Sequence, residues 1–258
     1  VCLDCGCLSP RDAHGDKAHL TLKDLTRAAS ASGIPVMEAA WNIPATMLAA
    51  TEPGWPPTDA PLTTRPALIW DVDGILAFTS EGLCAALNSQ FGTTYRPESQ
   101  AFFPGTFLIH RLPPEQGTWA GALLRNPAFM HTLAPDFRAL DTLIDAYNAG
   151  WPCQITTERH PDLEETTREW LTGWGAPPVP VNAIGHGGKP GWMTTRYGPL
   201  TPAVLIDDNP AVQITVARPG ISVWSPQRPY TPSVQRAQVR DFPSWRNARY
   251  WLGLSPNT

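Results

Sequence analysis

Four short apolar runs punctuate residues 66–258 of this chain, and three of them stop abruptly on acids or hydroxyls. Pro66-Ala67-Leu68-Ile69-Trp70 ends in Asp71. Trp151-Pro-Cys-Gln-Ile155 ends in Thr156 and Thr157, Ala203-Val-Leu-Ile206 ends in Asp207 and Asp208, and Ile221-Ser-Val-Trp224 is the fourth run. Such runs, bounded by polar or turn residues, read as buried strands. Helical patterns lie between them. One covers Glu81 to about Phe91. In another, Phe137, Leu140, Leu143, Ile144 and Tyr147 recur at helical spacing before Gly150. A third runs from Pro161 to Trp174, with proline at its first position and Gly175 after its end. Strands alternating with helices predict an α/β chain with a Rossmann-like parallel sheet and helices on both faces. Ligands of such sheets bind beyond the carboxyl ends of the strands. The polar residues that close the runs are therefore the candidate site.

The chain divides by composition into three parts. Residues 1–50 open with a cysteine cluster. Thr21-Leu-Lys-Asp24 then looks like a capping box for a helix over 22–31, and Pro35 starts a second short helix containing Ala39, Ala40 and Trp41. Residues 51–65, TEPGWPPTDAPLTTR, have no apolar period and several prolines, and read as a linker. Residues 66–258 form the main domain. Within it, 92–135 is too long for a simple loop and contains broken helical pieces, so a small helical cap is expected over about 77–135, after the first strand.

Composition narrows the function class. The net charge is −4, whereas proteins that grip long nucleic acid usually carry a basic surplus for phosphate contacts. A small anionic substrate fits better. No apolar run approaches the roughly 18 residues of a membrane span. The first residues also lack the basic-then-apolar pattern of a secretory signal, so a cytoplasmic protein with no membrane partner is expected.

The motifs now gain a more specific reading. Asp71-Val-Asp73-Gly74-Ile-Leu76 is similar to the first motif of the haloacid dehalogenase (HAD) superfamily. Ile155-Thr156-Thr157-Glu158-Arg159 resembles the second, and Leu205-Ile206-Asp207-Asp208-Asn209-Pro210 the fourth. The order matches, and the resemblance covers roughly 66–225. It implies a Mg²⁺-dependent phosphomonoester hydrolase working through an aspartyl-phosphate. Asp71 is then the nucleophile, and Asp73 the general acid and later the base. Thr157 binds a phosphoryl oxygen, with Thr156 as the alternative one position away. Mg²⁺ is held by Asp71, the Asp73 carbonyl and Asp208, with Asp207 behind them against water or the lysine. Hard oxygen ligands suit that ion. The resemblance also requires a lysine. The chain has only Lys17, Lys23 and Lys189, so Lys189 in His186-Gly-Gly-Lys-Pro-Gly takes the role by elimination, with Arg196 as the substitute.

Leu124-Arg-Asn-Pro-Ala-Phe129 to Leu140 loosely resembles the 5'(3')-deoxyribonucleotidase branch. That implies a nucleotide or other small phosphorylated metabolite as substrate, with Phe102, Phe103, Trp119, His110 and Arg111 as candidate pocket residues. Two alternatives stay open: a phosphatase for the 3'- or 5'-phosphate of a nucleic-acid end, and a non-catalytic binding protein. In residues 1–50, Asp4, Asp12, Asp16, Asp24 and Glu38 outnumber Arg11, Lys17, Lys23 and Arg27, which speaks against a nucleic-acid grip there. Cys2, Cys5, Cys7 and His14 form a candidate Zn²⁺ site, with Asp4, Asp12 and Asp16 competing for the fourth place and free thiols as the plainer reading. Cys84 and Cys153 read as buried apolar residues.

Overall fold

The computed structural model describes residues 22–32, 65–98, 112–198, 201–228 and 238–254, together with 234 and 236. It separates into two compact units, 1–65 and 66–258. The described part of the first unit is a helix, α1 (Leu22–Ser32), with Asp24 in its first turn and an ion pair from Arg27 back to Asp24. The expected second helix and Cys2, Cys5, Cys7 and His14 lie outside the described residues.

The second unit is built on a six-stranded sheet. Its strands are β1 (Ala67–Trp70), β2 (Cys153–Thr157), β3 (Val181–Ala183), β4 (Ala203–Ile206), β5 (Ile221–Pro226) and β6 (Val239–Phe242). All pairings are parallel, in the order β3-β2-β1-β4-β5-β6. The helices are α2 (Thr79–Phe91), α3 (Pro114–Leu123), α4 (Pro127–Thr132), α5 (Phe137–Asn148), α6 (Glu164–Gly173), α7 (Lys189–Arg196), α8 (Pro210–Val216) and α9 (Trp245–Trp251).

Side-chain alternation along the strands gives the sheet two buried faces. Ile69, Leu205 and Val223 form one core with Met193 of α7 and Val212 and Val216 of α8. Trp70 points the other way and stacks on Trp245 of α9 at 6.0 Å, while Trp224 meets Trp251 edge to face at 5.1 Å. Helices therefore cover both faces, as a parallel sheet requires.

Several expectations shift in detail. β2 begins two residues later than the apolar run, yet Pro152 still belongs to the ladder, because its carbonyl accepts from Leu68 N at 2.8 Å. The Pro161–Trp174 helix starts as a 3₁₀ turn over Pro161–Leu163 before α6. On α5 the buried residues are Ala139, Leu140, Thr142, Leu143 and Ala146, while Phe137 is 58% exposed. The first residue of that helix therefore sits outside the core stripe. Between β1 and β2, where the cap was expected, the described residues give α2, α3 and α4. α2 packs on α3, and α4 packs on α6. Trp119 of α3 meets Phe91 edge to face at 5.5 Å. Phe102, Phe103, His110 and Arg111 lie outside the described residues.

Candidate active site

The strand order reverses direction between β1 and β4. In a sheet wound both ways from such a point, the two loops leaving those strands diverge and open a crevice. The loop after β1 carries Asp71 and Asp73, and the loop after β4 carries Asp207 and Asp208. Asp71 N donates to Ile206 O at 3.0 Å, which locks the two loops together. The carboxylates of Asp71, Asp207 and Asp208 converge, each offering an oxygen within 4.8 Å of the others. All three residues are buried.

Gly74 explains how they come so close. Its φ is +77°, a region that side-chain-bearing residues avoid. A Cβ placed there would lie 2.0 Å from Asp208 Oδ2. The glycine turns the β1 loop and leaves the space that the Asp208 carboxylate fills.

Lys189 supplies the opposing charge. It is the first residue of α7 and only 1% exposed. Its Nζ lies 3.0 Å from Asp71 Oδ1 and 2.5 Å from Asp207 Oδ2. Gly188 before it has no room for a side chain, since a Cβ would sit 2.6 Å from Ile184 O. Arg196, the alternative cation, lies at the far end of α7 with its guanidinium over the Trp192 ring.

Three buried carboxylates thus face one ammonium, an imbalance that low dielectric makes costly. Burial, with Asp207 and Asp73 nearby, pushes the Asp71 carboxyl up to about 7 despite the opposing pull of Lys189. Burial and the neighbouring Asp207 and Asp71 charges raise Asp208 well above the carboxylate range. Burial alone would lower Lys189, but Asp207 and Asp71 outweigh it and hold the ammonium above its ordinary value. Asp207 is already engaged: Oδ2 accepts from Lys189 and Oδ1 from Asn209 N at 2.8 Å. Asp208 Oδ2 is buried without a hydrogen-bond partner. An orphaned buried carboxylate oxygen, beside two more carboxylates, fits a hard divalent cation such as Mg²⁺.

The Asp73 carboxylate stands outside this cluster. Arg159 grips it through Nε (3.0 Å to Oδ2) and NH2 (2.8 Å to Oδ1), and the Thr79 hydroxyl donates to Oδ1. Burial would raise this carboxyl, but the Arg159 charge and hydrogen bonds, with Thr79, hold it below the usual range. Arg159 is itself buried and also reaches Thr167 Oγ1 at 3.3 Å. Sequence reasoning quoted Arg159 only as part of a motif and missed this contact. The available signal was a buried-strand motif closing on a cation. Thr156 and Thr157 are the last two residues of β2 and are fully buried. Thr157 Oγ1 accepts from Arg159 N at 3.4 Å, whereas Thr156 Oγ1 has no partner.

No family model matches the chain, and a search of curated proteins returned no match. Solved structures do match. A HAD family hydrolase from Deinococcus radiodurans R1, solved with bound phosphate and sodium, superposes with a TM-score of 0.50 at 17% identity. The match covers 75% of this chain and 99% of that one. The chain has the haloacid dehalogenase fold. A HAD-superfamily hydrolase of subfamily IA from Geobacter sulfurreducens PCA is similar at a TM-score of 0.48 and 15% identity, covering 74% and 97% of the two chains. A predicted phosphoglycolate phosphatase from Haemophilus somnus gives 0.48 at 14% identity, covering 66% and 88%. In this fold, Asp71, Asp207, Asp208 and Lys189 meet at the switch point of the sheet. The cysteines of the second unit stand apart: Cys84 and Cys153 are buried, and burial pushes both thiols up to about 12, which leaves them inert as nucleophiles.

Proposed function

We propose that this chain is a Mg²⁺-dependent phosphomonoester hydrolase that works through an aspartyl-phosphate on Asp71. One observation carries the reading. Asp71, Asp207 and Asp208 converge on one buried point, Lys189 pairs with the first two, and Asp208 keeps an oxygen free of hydrogen bonds. Asp71, Asp208 and the Asp73 carbonyl would hold the ion, with Asp207 orienting the lysine. Bound there, Mg²⁺ neutralises phosphoryl oxygens and aligns the ester for in-line attack.

The protein's own groups do the rest. An Asp71 oxygen attacks phosphorus, and the bond to the leaving oxygen breaks as Asp73 gives that oxygen a proton. Asp73 then takes a proton from water, whose oxygen attacks the same phosphorus. The bond to Asp71 breaks, and inorganic phosphate leaves. Lys189 offsets the negative charge that Asp71 and the phosphoryl group bring together. Thr157, or Thr156 with its uncommitted hydroxyl, donates to a phosphoryl oxygen. In the free protein Arg159 keeps Asp73 ionised, the form the base requires. To act first as an acid, the carboxyl must leave that pair and take up a proton from solvent as substrate enters.

The substrate is a small phosphorylated metabolite, with a nucleoside monophosphate as the first choice. The net charge of −4 supports a small anion over a nucleic-acid strand. Phosphate release should be measured with Mg²⁺ on 4-nitrophenyl phosphate, nucleoside monophosphates and a 5'-phosphorylated oligonucleotide. Asp71→Asn should lose activity on the order of 10³-fold or more, and mononucleotides should be preferred over the oligonucleotide. Failure to release phosphate from any of them sinks the enzymatic reading.

A further inference from the structure

A separate cavity of about 360 Å³ opens at the carboxyl ends of β5 and β6, against the start of α5. It contains none of Asp71, Asp73, Asp207, Asp208 or Lys189. Its walls combine ring faces with cations: Phe78, Phe137 and Trp245 on one side of the balance, Arg138 and Arg228 on the other. The volume lies in the range of small-molecule sites.

The one acid in the lining is already neutralised. Asp136 Oδ1 accepts from Arg138 N and Ala139 N at the start of α5. Its Oδ2 accepts from Arg228 NH2 at 2.9 Å and Trp245 Nε1 at 3.1 Å. Arg228 NH2 also donates to Gly74 O at 3.0 Å, yet its Nε is buried with no partner. Arg138 is exposed and lines the cavity. Phe137 is 58% exposed there, propped edge-on by Trp174 at 5.7 Å. With Asp136 spent on Arg228, the cavity keeps the positive charge of Arg138.

We propose that this cavity binds a small planar aromatic anion, with its ring against Phe137 and its negative group toward Arg138. Exposed aromatic surface beside the exposed Arg138 favours this class over a neutral ring or a bare anion. Arg228 joins the cavity to the Gly74 turn, and the Gly74 Cα is what the Asp208 carboxylate packs against. The ligand is therefore either the leaving-group end of the substrate or a separate effector read through that turn.

The test does not depend on turnover. Calorimetric titration of the intact protein with 4-hydroxybenzoate and with 4-hydroxybenzamide compares an anion with its neutral isostere. The acid should bind about tenfold or more tightly than the amide. Arg138→Glu should remove that preference and Phe137→Ala should weaken binding of both ligands, and neither, being at an exposed position, should lower the melting temperature. Equal binding of acid and amide, no binding of either, or unchanged binding in both variants overturns the site. If phosphatase activity is present, inhibition by 4-hydroxybenzoate separates the two sources. A competitive pattern supports a leaving-group subsite and a non-competitive one an effector site. Loss of activity alone, with binding intact, would tell against the phosphatase reading and leave the cavity proposal standing.

Discussion

At the scale of single residues, Gly74, Lys189 and Arg159 each fix a charge that the site needs. Gly74→Ala would push a methyl group into the Asp208 carboxylate at 2.0 Å and strain a positive-φ backbone. The expected result is loss of the rise in melting temperature that Mg²⁺ gives the wild type. A variant that keeps the full rise would show that Asp208 is not a ligand. Lys189→Met would leave Asp71 and Asp207 buried without their cation, at a cost of about 3–5 kcal/mol in metal-free protein. Mg²⁺ should restore part of that loss, because a divalent ion supplies positive charge at the same point. Denaturant unfolding with and without the ion measures both. Arg159→Met should lower kcat by about ten- to a hundredfold. The loss should be larger for aryl than for alkyl phosphates, since without Arg159 the Asp73 carboxyl rises and serves less well as the base of the second step, which limits turnover when the leaving group departs easily. Equal losses on both substrates would mean that Arg159 only holds the fold.

At the scale of elements, legibility followed chemical contrast. β1, β2 and β4 announced themselves because each apolar run ends in a polar residue that faces a crevice. β5 was legible as a short apolar run. β3 was not, since Val181-Asn-Ala183 is short and sits just after Pro178 and Pro180. β6 was missed for another reason: as an edge strand it reads Val-Arg-Asp-Phe, with charges where a central strand would be apolar. α8 begins Asn209-Pro210, with Asn209 Oδ1 accepting from Ala211 N at 2.9 Å. This is a cap that the motif-four reading passed over. Asp71 and Asp208 could be named because each closes an apolar run, and Lys189 because lysine is rare in this chain. Arg159 and Arg228 could not, because their roles come from pairings across 86 and 92 residues of sequence.

For the whole molecule, the buried acid cluster should couple stability to pH and, through the proposed Mg²⁺ site, to metal. The Asp71 carboxyl has an ordinary value of 3.8 and is raised to about 7 in the folded protein. A raised acid stabilises the fold fully below its unfolded value, and that contribution is lost as pH rises through the folded one. Metal-free protein should therefore lose stability from this group between about pH 4 and pH 7. At the proposed Mg²⁺ site protons and the ion would compete for the same oxygens, so the increase in melting temperature with Mg²⁺ should be larger near pH 8 than near pH 5. An equal increase at both would place the ion elsewhere.

The central position of β1 has a temporal consequence. Its partner on one side, β4, is made more than a hundred residues later. During synthesis β1 and β2 should be able to pair first, leaving the other edge of β1 open until residues 203–206 leave the ribosome. An open apolar strand edge is a template for unwanted pairing. Nascent chains that stall between β3 and β4 should thus be the aggregation-prone species, and they should have no acid cluster, because Asp207 and Asp208 have yet to be translated.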